Sequence, residues 1–185
     1  MTDWSDTLPG IHDRVWQTLT RGVADRHAPG RHLALATVAP DGAPQVRTVV
    51  LRAADRTAAT IDIHTDLRSA KIAALTANPL AEALVWDPRA HLQIRLSGPV
   101  AILTGNDVAP LWARIPDTAR VSYGNTPGPG TPIPGPRDHA PGDGAAVFAV
   151  LRMAIARIDA LHLGDPHRRA QFVQVDGWAG GWLSP

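Results

Sequence analysis

Lys71 is the only lysine in the chain; the other seventeen basic side chains, histidine apart, are arginine. It closes the segment Ile63-His64-Thr65-Asp66-Leu67-Arg68-Ser69-Ala70-Lys71, where an alternating strand pattern runs into a helical one. Such a junction suits a phosphate. Helix N–H groups and the positive dipole end attract the anion, and Thr, Ser, Arg and Lys side chains add charge-assisted bonds. The plain structural alternative is a solvated helix start. A second basic cluster, Arg47-Thr48-Val49-Val50-Leu51-Arg52, reads as an apolar strand with an arginine at each end. Its odd spacing sends Arg47 and Arg52 to opposite faces of a regular strand. Both reach one extended ligand only if the strand twists or bulges, or if the ligand lies along its edge.

The familiar catalytic signatures are missing. The sequence has no GxSxG elbow, no HExxH pair, no GxxxxGK[ST] loop and no GxGxxG after a strand. His162 and His167 lie five apart near a turn, with Asp165 as the one nearby carboxylate, a weak metal spacing that reads better as solvated loop histidines. No metal site is expected, and no catalytic residue can be named. Donors and cations outnumber nucleophiles and tuned acids, a pattern that fits a protein whose reactive group is a bound cofactor. The net charge of 18 − 17 = +1 gives no broad field for nucleic acid or an anionic membrane. With no cysteine, disulfides and thiolate chemistry are excluded, and a cytoplasmic location is the expectation. No signal peptide and no membrane span are visible. The 185 residues suit a single domain.

The positioning elements follow from periodicity. Ile11, Val15, Trp16, Leu19 and Val23 predict an amphipathic helix over 9–26. Leu33–Val38 and Val46–Leu51 flank Pro40-Asp41-Gly42-Ala43-Pro44, a hairpin signal. Thr60–Thr65 alternates as a third strand, and a helix is predicted from Leu67 to Asn78 with Asp66 as its N-cap. Ala83–Trp86 and Leu92–Leu103 read as the fourth and fifth strands, and Asn106 as the cap of a short helix holding Val108, Leu111 and Trp112. Six Pro and six Gly occupy positions 124–144, predicting a long, mobile loop. Strand signals resume at Val147–Leu151 and run to Leu163, with a closing pair near Gln171–Val175 and Trp178–Leu183. Hairpin-length turns and a surplus of strands predict a mainly β fold with peripheral helices, an antiparallel barrel.

The order Arg-x-Val-x-Leu-Arg, Ile-His-Thr-Asp-x-Arg-Ser-x-Lys, Asn78-Pro79 and Gln93-Ile94-Arg95-Leu96-Ser97-Gly98 resembles the pyridoxamine 5′-phosphate oxidase-like family of FMN-binding split barrels, and within it the branch carrying HTDxRSxK. The likeness runs from about Arg31 to His167-Arg168-Arg169-Ala170-Gln171-Phe172 and Trp182-Leu183-Ser184-Pro185. It implies a split barrel that binds FMN at a homodimer interface, and an oxidoreductase acting on a small molecule. Arg47, Thr48, Val49, Val50 and Arg52 would form the strand beside the flavin. His64 and Thr65 would follow on the next strand, Ser69 and Lys71 would hold the phosphate, and Gln93 would reach in from the fifth strand. Where the oxidases have Arg-Lys this chain has Ala70-Lys71, with Arg68 as the candidate replacement cation. Their C-terminal substrate motif, Arg-x-His-x-Arg, ends here in Gln171, and their flavin- and substrate-touching lysine is Arg52. Both departures imply a substrate other than pyridoxamine phosphate. Arg120, Tyr123, His167 and Arg169 are the substrate candidates, while Trp86, Trp112 and Trp182 read as core or interface. Two alternatives stay open: a flavin-binding module with no turnover of its own, and a haem- or deazaflavin-binding split barrel.

Overall fold

The computed structural model describes residues 3–185. Nine strands form it: β1 (His32–Val38), β2 (Pro44–Asp55), β3 (Thr60–Asp66), β4 (Leu80–Asp87), β5 (Leu92–Leu103), β6 (Phe148–Ala154), β7 (Arg157–His162), β8 (Arg168–Val173) and β9 (Gly181–Leu183). The sheet order is β4-β1-β2-β3-β6-β5-β7-β8-β9, and β4 also pairs with β5. That extra pairing closes six antiparallel strands into a barrel, and β7, β8 and β9 continue the sheet from β5. The fold is the mainly β antiparallel barrel with peripheral helices that the strand pattern predicts, and it is the split barrel that the resemblance implies.

Strand alternation sets the barrel wall. In β5, Leu92, Ile94 and Leu96 are fully buried while Gln93, Arg95 and Ser97 face outward. Leu33 and Leu35 of β1, Ile61 and Ile63 of β3, and Leu151 and Met153 of β6 fill the same core. The β1–β2 turn is closed by Asp41, whose Oδ1 accepts from the Ala43 N–H at 3.0 Å, with Gly42 at φ +86°; an L side chain strains at that angle. Partway along β5 the strand changes partners, from β4 and β7 to β6. Gly98 marks that crossing: a Cβ there would stand 1.9 Å from the Ala154 carbonyl oxygen. Only glycine lets the two strands approach so closely.

Helix α1 (Leu8–Ala24) starts at Thr7, whose hydroxyl accepts from the Gly10 N–H, with Pro9 in the first turn. It buries Ile11, Val15, Trp16 and Leu19 against the barrel; full burial of such side chains contributes about 1.5–3 kcal/mol each. It begins a residue earlier and ends two residues sooner than predicted. Arg31 fastens its far end, donating from one terminal nitrogen to Val23 O at 3.1 Å and Leu51 O at 3.2 Å. Helix α2 (Ala70–Ala77) is shorter than predicted: it begins after Ser69, and Asp66 is the last residue of β3 and not a cap. Asn106 is likewise no cap. It sits inside a 3₁₀ turn, Gly105–Asp107, which precedes α3 (Ala109–Ala113). The closing strands lie at 168–173 and 181–183, slightly offset from expectation. The 124–144 segment is without helix or strand up to Gly144 and is drawn together by Thr126 and Ala140, which exchange two backbone hydrogen bonds at 2.8 and 2.9 Å. Among the described residues no helix is long and apolar enough to cross a membrane.

A second, smaller core joins Val108, Tyr123, Phe148 and Val150, with Leu111, Trp112 and Ile115 packed on it. His64 meets Phe148 edge-on at 4.9 Å between ring centres. Burial, and then the Arg52 charge, push its imidazole down to about 4 from 6.5, against Asp62. The folded chain therefore refuses a proton that the unfolded chain accepts between those values. This contribution is complete above pH 6.5 and is lost as pH falls toward 4.

Two outcomes follow for stability. Gly98→Ala is expected to destabilise the fold by about 1–3 kcal/mol, the usual penalty of overpacking, read from the shift in a urea unfolding midpoint. His64→Asn is expected to flatten the decline in stability between pH 6.5 and 4 relative to the parent chain; parallel pH profiles would disprove the buried neutral imidazole.

Candidate functional site

The split in the barrel sits along one edge of β2. Pro44–Val50 pair with β1, and pairing with β3 begins only at Leu51. The second edge of residues 47–50 is thus left without a strand neighbour. Its backbone groups face a cleft of about 360 Å³ lined by Arg47, Thr48, Val49, Val50 and Arg52 from β2; this lies in the ~300–1,000 Å³ range of small-molecule sites. Where β2 rejoins β3, the register slips between Leu51 and Ala53. Arg52 is the extra residue of that bulge. The slip and the open edge together remove the parity problem: Arg47 and Arg52 both line the cleft despite their odd spacing.

The opposite wall is the β3–α2 junction. His64, Thr65, Ser69 and Lys71 line it, together with Asp66. Lys71 Nζ donates to Thr65 Oγ1 at 3.0 Å, and Thr65 Oγ1 lies 3.2 Å from Ser69 Oγ. Ser69 occupies the N-cap position of α2 yet makes no side-chain cap bond, so its hydroxyl serves the cleft instead of the helix. Arg47 is held in place by Leu35 O at 3.2 Å, Thr37 Oγ1 at 2.6 Å and Gln45 Oε1 at 2.8 Å.

The electrostatics are those of an anion site. Burial, and then the neighbouring Arg47 charge, hold the Lys71 ammonium below its ordinary value, with Asp66 opposing. Burial also lowers Arg47. Among the described residues none of Arg47, Arg52 or Lys71 has a carboxylate ion-pair partner. Among the described residues Arg52 Nε is buried without a hydrogen-bond partner, an arrangement that costs free energy unless a ligand acceptor completes it. Two like charges crowded beside hydroxyl groups are stabilised when a dianion enters between them.

Several expected residues lie elsewhere. Arg68 is outside the cleft lining. It forms a two-pronged pair with Asp66 at 3.0 and 2.7 Å and donates to Asn125 O at 2.9 Å. It therefore does not replace the cation absent at Ala70; Arg47 stands beside Lys71 instead. Asp66 is occupied by this pair and by the Gly124 N–H at 3.2 Å, which keeps its charge from competing for the cleft. Gln93 is on the outer face of β5, in a groove with Ala34, Val46, Glu82, Leu84 and Arg95. Arg120 is tied to Asp117 and to Trp112 O, with its guanidinium over the Trp112 ring. Arg169 is locked to Asp159 at 3.1 and 2.8 Å on β8, and His167 precedes that strand. Of the substrate candidates only Tyr123 lines the cleft; burial raises its phenol above the ordinary value, with Arg52 opposing. Ser122 and Pro129 also line it and were not foreseen. Adjacency to Tyr123 was the only available signal for Ser122, and none existed for Pro129.

A family model described as pyridoxamine 5′-phosphate oxidase, FMN-binding domain, matches residues 13–104. A pyridoxine/pyridoxamine 5′-phosphate oxidase of Rhodopseudomonas palustris is 30% identical over 154 residues, 83% of this chain and 63% of its own length. Pyridoxine/pyridoxamine 5′-phosphate oxidase 2 of Arabidopsis thaliana is 31% identical over 101 residues, 53% of this chain and 51% of that protein. The matches span about half, or less, of the length of several such curated relatives. The crystal structure of a pyridoxamine 5′-phosphate oxidase-related, FMN binding protein from Nostoc punctiforme overlays with a TM-score of 0.72 at 26% identity, covering 100% of this chain and 98% of that one. The closed six-stranded barrel agrees with these likenesses: the chain belongs to the pyridoxamine 5′-phosphate oxidase-like family of FMN-binding split barrels.

Proposed function

We propose that the cleft binds FMN and that the protein is an FMN-dependent oxidoreductase of a small molecule, working as a homodimer. One observation carries the reading: Lys71 bonds the Thr65 hydroxyl beside that of Ser69 at a strand–helix junction, Arg47 lines the same cleft beside an unpaired strand edge, and among the described residues neither cation has a carboxylate ion-pair partner. A phosphate dianion answers that cluster. The unpaired backbone of residues 47–50 supplies donors and acceptors along a flat, extended ligand, and Arg52 supplies the orphaned donor at its far end. Bound FMN would supply two-electron transfer, with the protein setting its potential. Arg52 holds positive charge beside the ligand, and neutral His64 gives a polar contact without adding to that charge.

The outer face of the barrel supports the homodimer. Val46 is 70% exposed, Trp86 43% and Leu84 38%, an apolar stretch on one wall. Thr48, itself in the cleft, is opposite Ala34, which is opposite Leu84, which is opposite Arg95. The apolar face is therefore continuous with the cleft, and Gln93 lies on it. A second copy seated there brings its own side chains toward the ligand, the role this reading gives to Gln93.

Lys71→Ala is expected to weaken FMN by about 1.5–3 kcal/mol, the range of a charged hydrogen bond, in a flavin fluorescence titration; unchanged affinity would sink the phosphate assignment. Leu84→Asp is expected to shift sedimentation toward monomer and to lower FMN retention with it, and a dimer that survives the change would move the interface elsewhere. Absorption of the purified protein separates the remaining readings. A flavin spectrum with turnover of reduced donors supports the oxidoreductase, a flavin spectrum with no donor supports a carrier, and a Soret band supports haem.

A further inference from the structure

Beside the cleft lies a second pocket of about 240 Å³, and the two share Arg52 and His64. Its walls are apolar: Ala53 from β2, then Leu111, Ile115, Pro116 and Ala119 from α3, the short helix Asp117–Arg120 and the turn between them. Its charged lining is Arg52, Arg114 and Asp62. Asp62 is already neutralised, since Arg152 holds both its oxygens at 2.8 and 2.7 Å. Among the described residues the Arg114 guanidinium makes no ion pair, and the residue bonds only through its backbone N–H, to Leu111 O. The pocket therefore presents an apolar interior with one uncommitted guanidinium and the orphaned Arg52 donor.

We propose that this pocket takes an apolar monocarboxylate, the small-molecule substrate, with its carboxylate on Arg114 and its apolar body against Leu111, Ile115 and Ala119. The proposal rests on the reading of the adjoining cleft as the flavin site, because the shared Arg52 and His64 place the occupant next to that ligand. The donor set selects the class. A planar carboxylate is satisfied by the two parallel N–H groups of one guanidinium. A phosphate dianion draws on more donors, and no Ser, Thr, Tyr or Lys side chain lines this pocket. A cationic ligand meets two arginines, and a neutral one gains no charge-assisted bond from Arg114.

The test is a titration of the FMN-loaded protein with benzoate, benzamide and phenyl phosphate, followed by perturbation of the flavin absorption band. The same titrations are repeated by calorimetry on protein without added FMN. Benzoate is expected to give a saturable response, with benzamide and phenyl phosphate at least tenfold weaker. Arg114→Gln is expected to weaken benzoate about tenfold or more, the scale of one charged hydrogen bond, while FMN affinity stays within about twofold, as expected for a group that makes no contact in the cleft. Because Arg114 is exposed and unpaired, this variant should fold; Arg114→Lys provides a second one, expected to retain part of the affinity. FMN retention with no benzoate response, equal binding of benzamide, tighter binding of phenyl phosphate, or an unchanged Arg114→Gln variant overturns the proposal. Calorimetric benzoate binding that depends on Arg114 in a protein that cannot retain FMN supports the pocket and sinks the flavin reading instead.

Discussion

Strand β2 has two edges but does not have two neighbours along its whole length, and the site depends on that constraint. From Pro44 to Val50 it is bonded to β1, and only from Leu51 onward does β3 take its other edge. A strand edge left open inside a folded protein needs partners for its backbone groups. Here the opening is a cleft, so the unpaired backbone becomes a surface for a ligand. The bulge at Arg52 is the hinge of the arrangement: it absorbs one residue where the strands come back together and aims a guanidinium into the gap.

The charges around the gap are sorted by who is already paired. Arg68 and Asp66 neutralise one another and fasten Gly124 and Asn125, the start of the Pro- and Gly-rich segment, to the end of β3. Pro129 of that segment then reaches the cleft wall. Arg152 removes Asp62 from the neighbouring pocket in the same way. Among the described residues, Arg47, Lys71, Arg52 and Arg114 have no carboxylate ion-pair partner, and they line the cleft and the pocket beside it. Repulsion among them is a cost to the folded chain alone, and anionic ligands relieve it.

Much of this was legible in the residues. Alternation in Thr60–Thr65 and Leu92–Ser97 placed strands because one barrel face is dry, and the β1–β2 turn followed from Asp41-Gly42. Lys71 and Ser69, which line the cleft, stand out in the sequence because a lone lysine beside a hydroxyl at a strand–helix junction is chemically unusual. The start of α2 was misplaced because Asp66 is a strong cap former in isolation, while in the fold its carboxylate is claimed by Arg68 two residues on. Arg120 and Arg169 looked like free cations in sequence. In three dimensions each is taken, Arg120 by Asp117 and the Trp112 region, Arg169 by Asp159.

The sequence by itself determined the strand and helix periods, the gathering of hydroxyls and the single lysine at the β3–α2 junction, and the absence of a thiol. Those properties are local, written in the spacing of side chains along a few turns or a few pleats. Tertiary structure alone decided that Arg47 and Arg52 share a cleft, because the register slip and the open edge depend on how far along β2 each neighbouring strand stays paired, which no side-chain period records. It also decided that Arg68 is structural while Arg47 is not neutralised, and that Gln93 belongs to an outer face. Which cation finds a carboxylate depends on contacts as much as 162 residues apart, as between Arg168 and Asp6, and no local pattern encodes that choice.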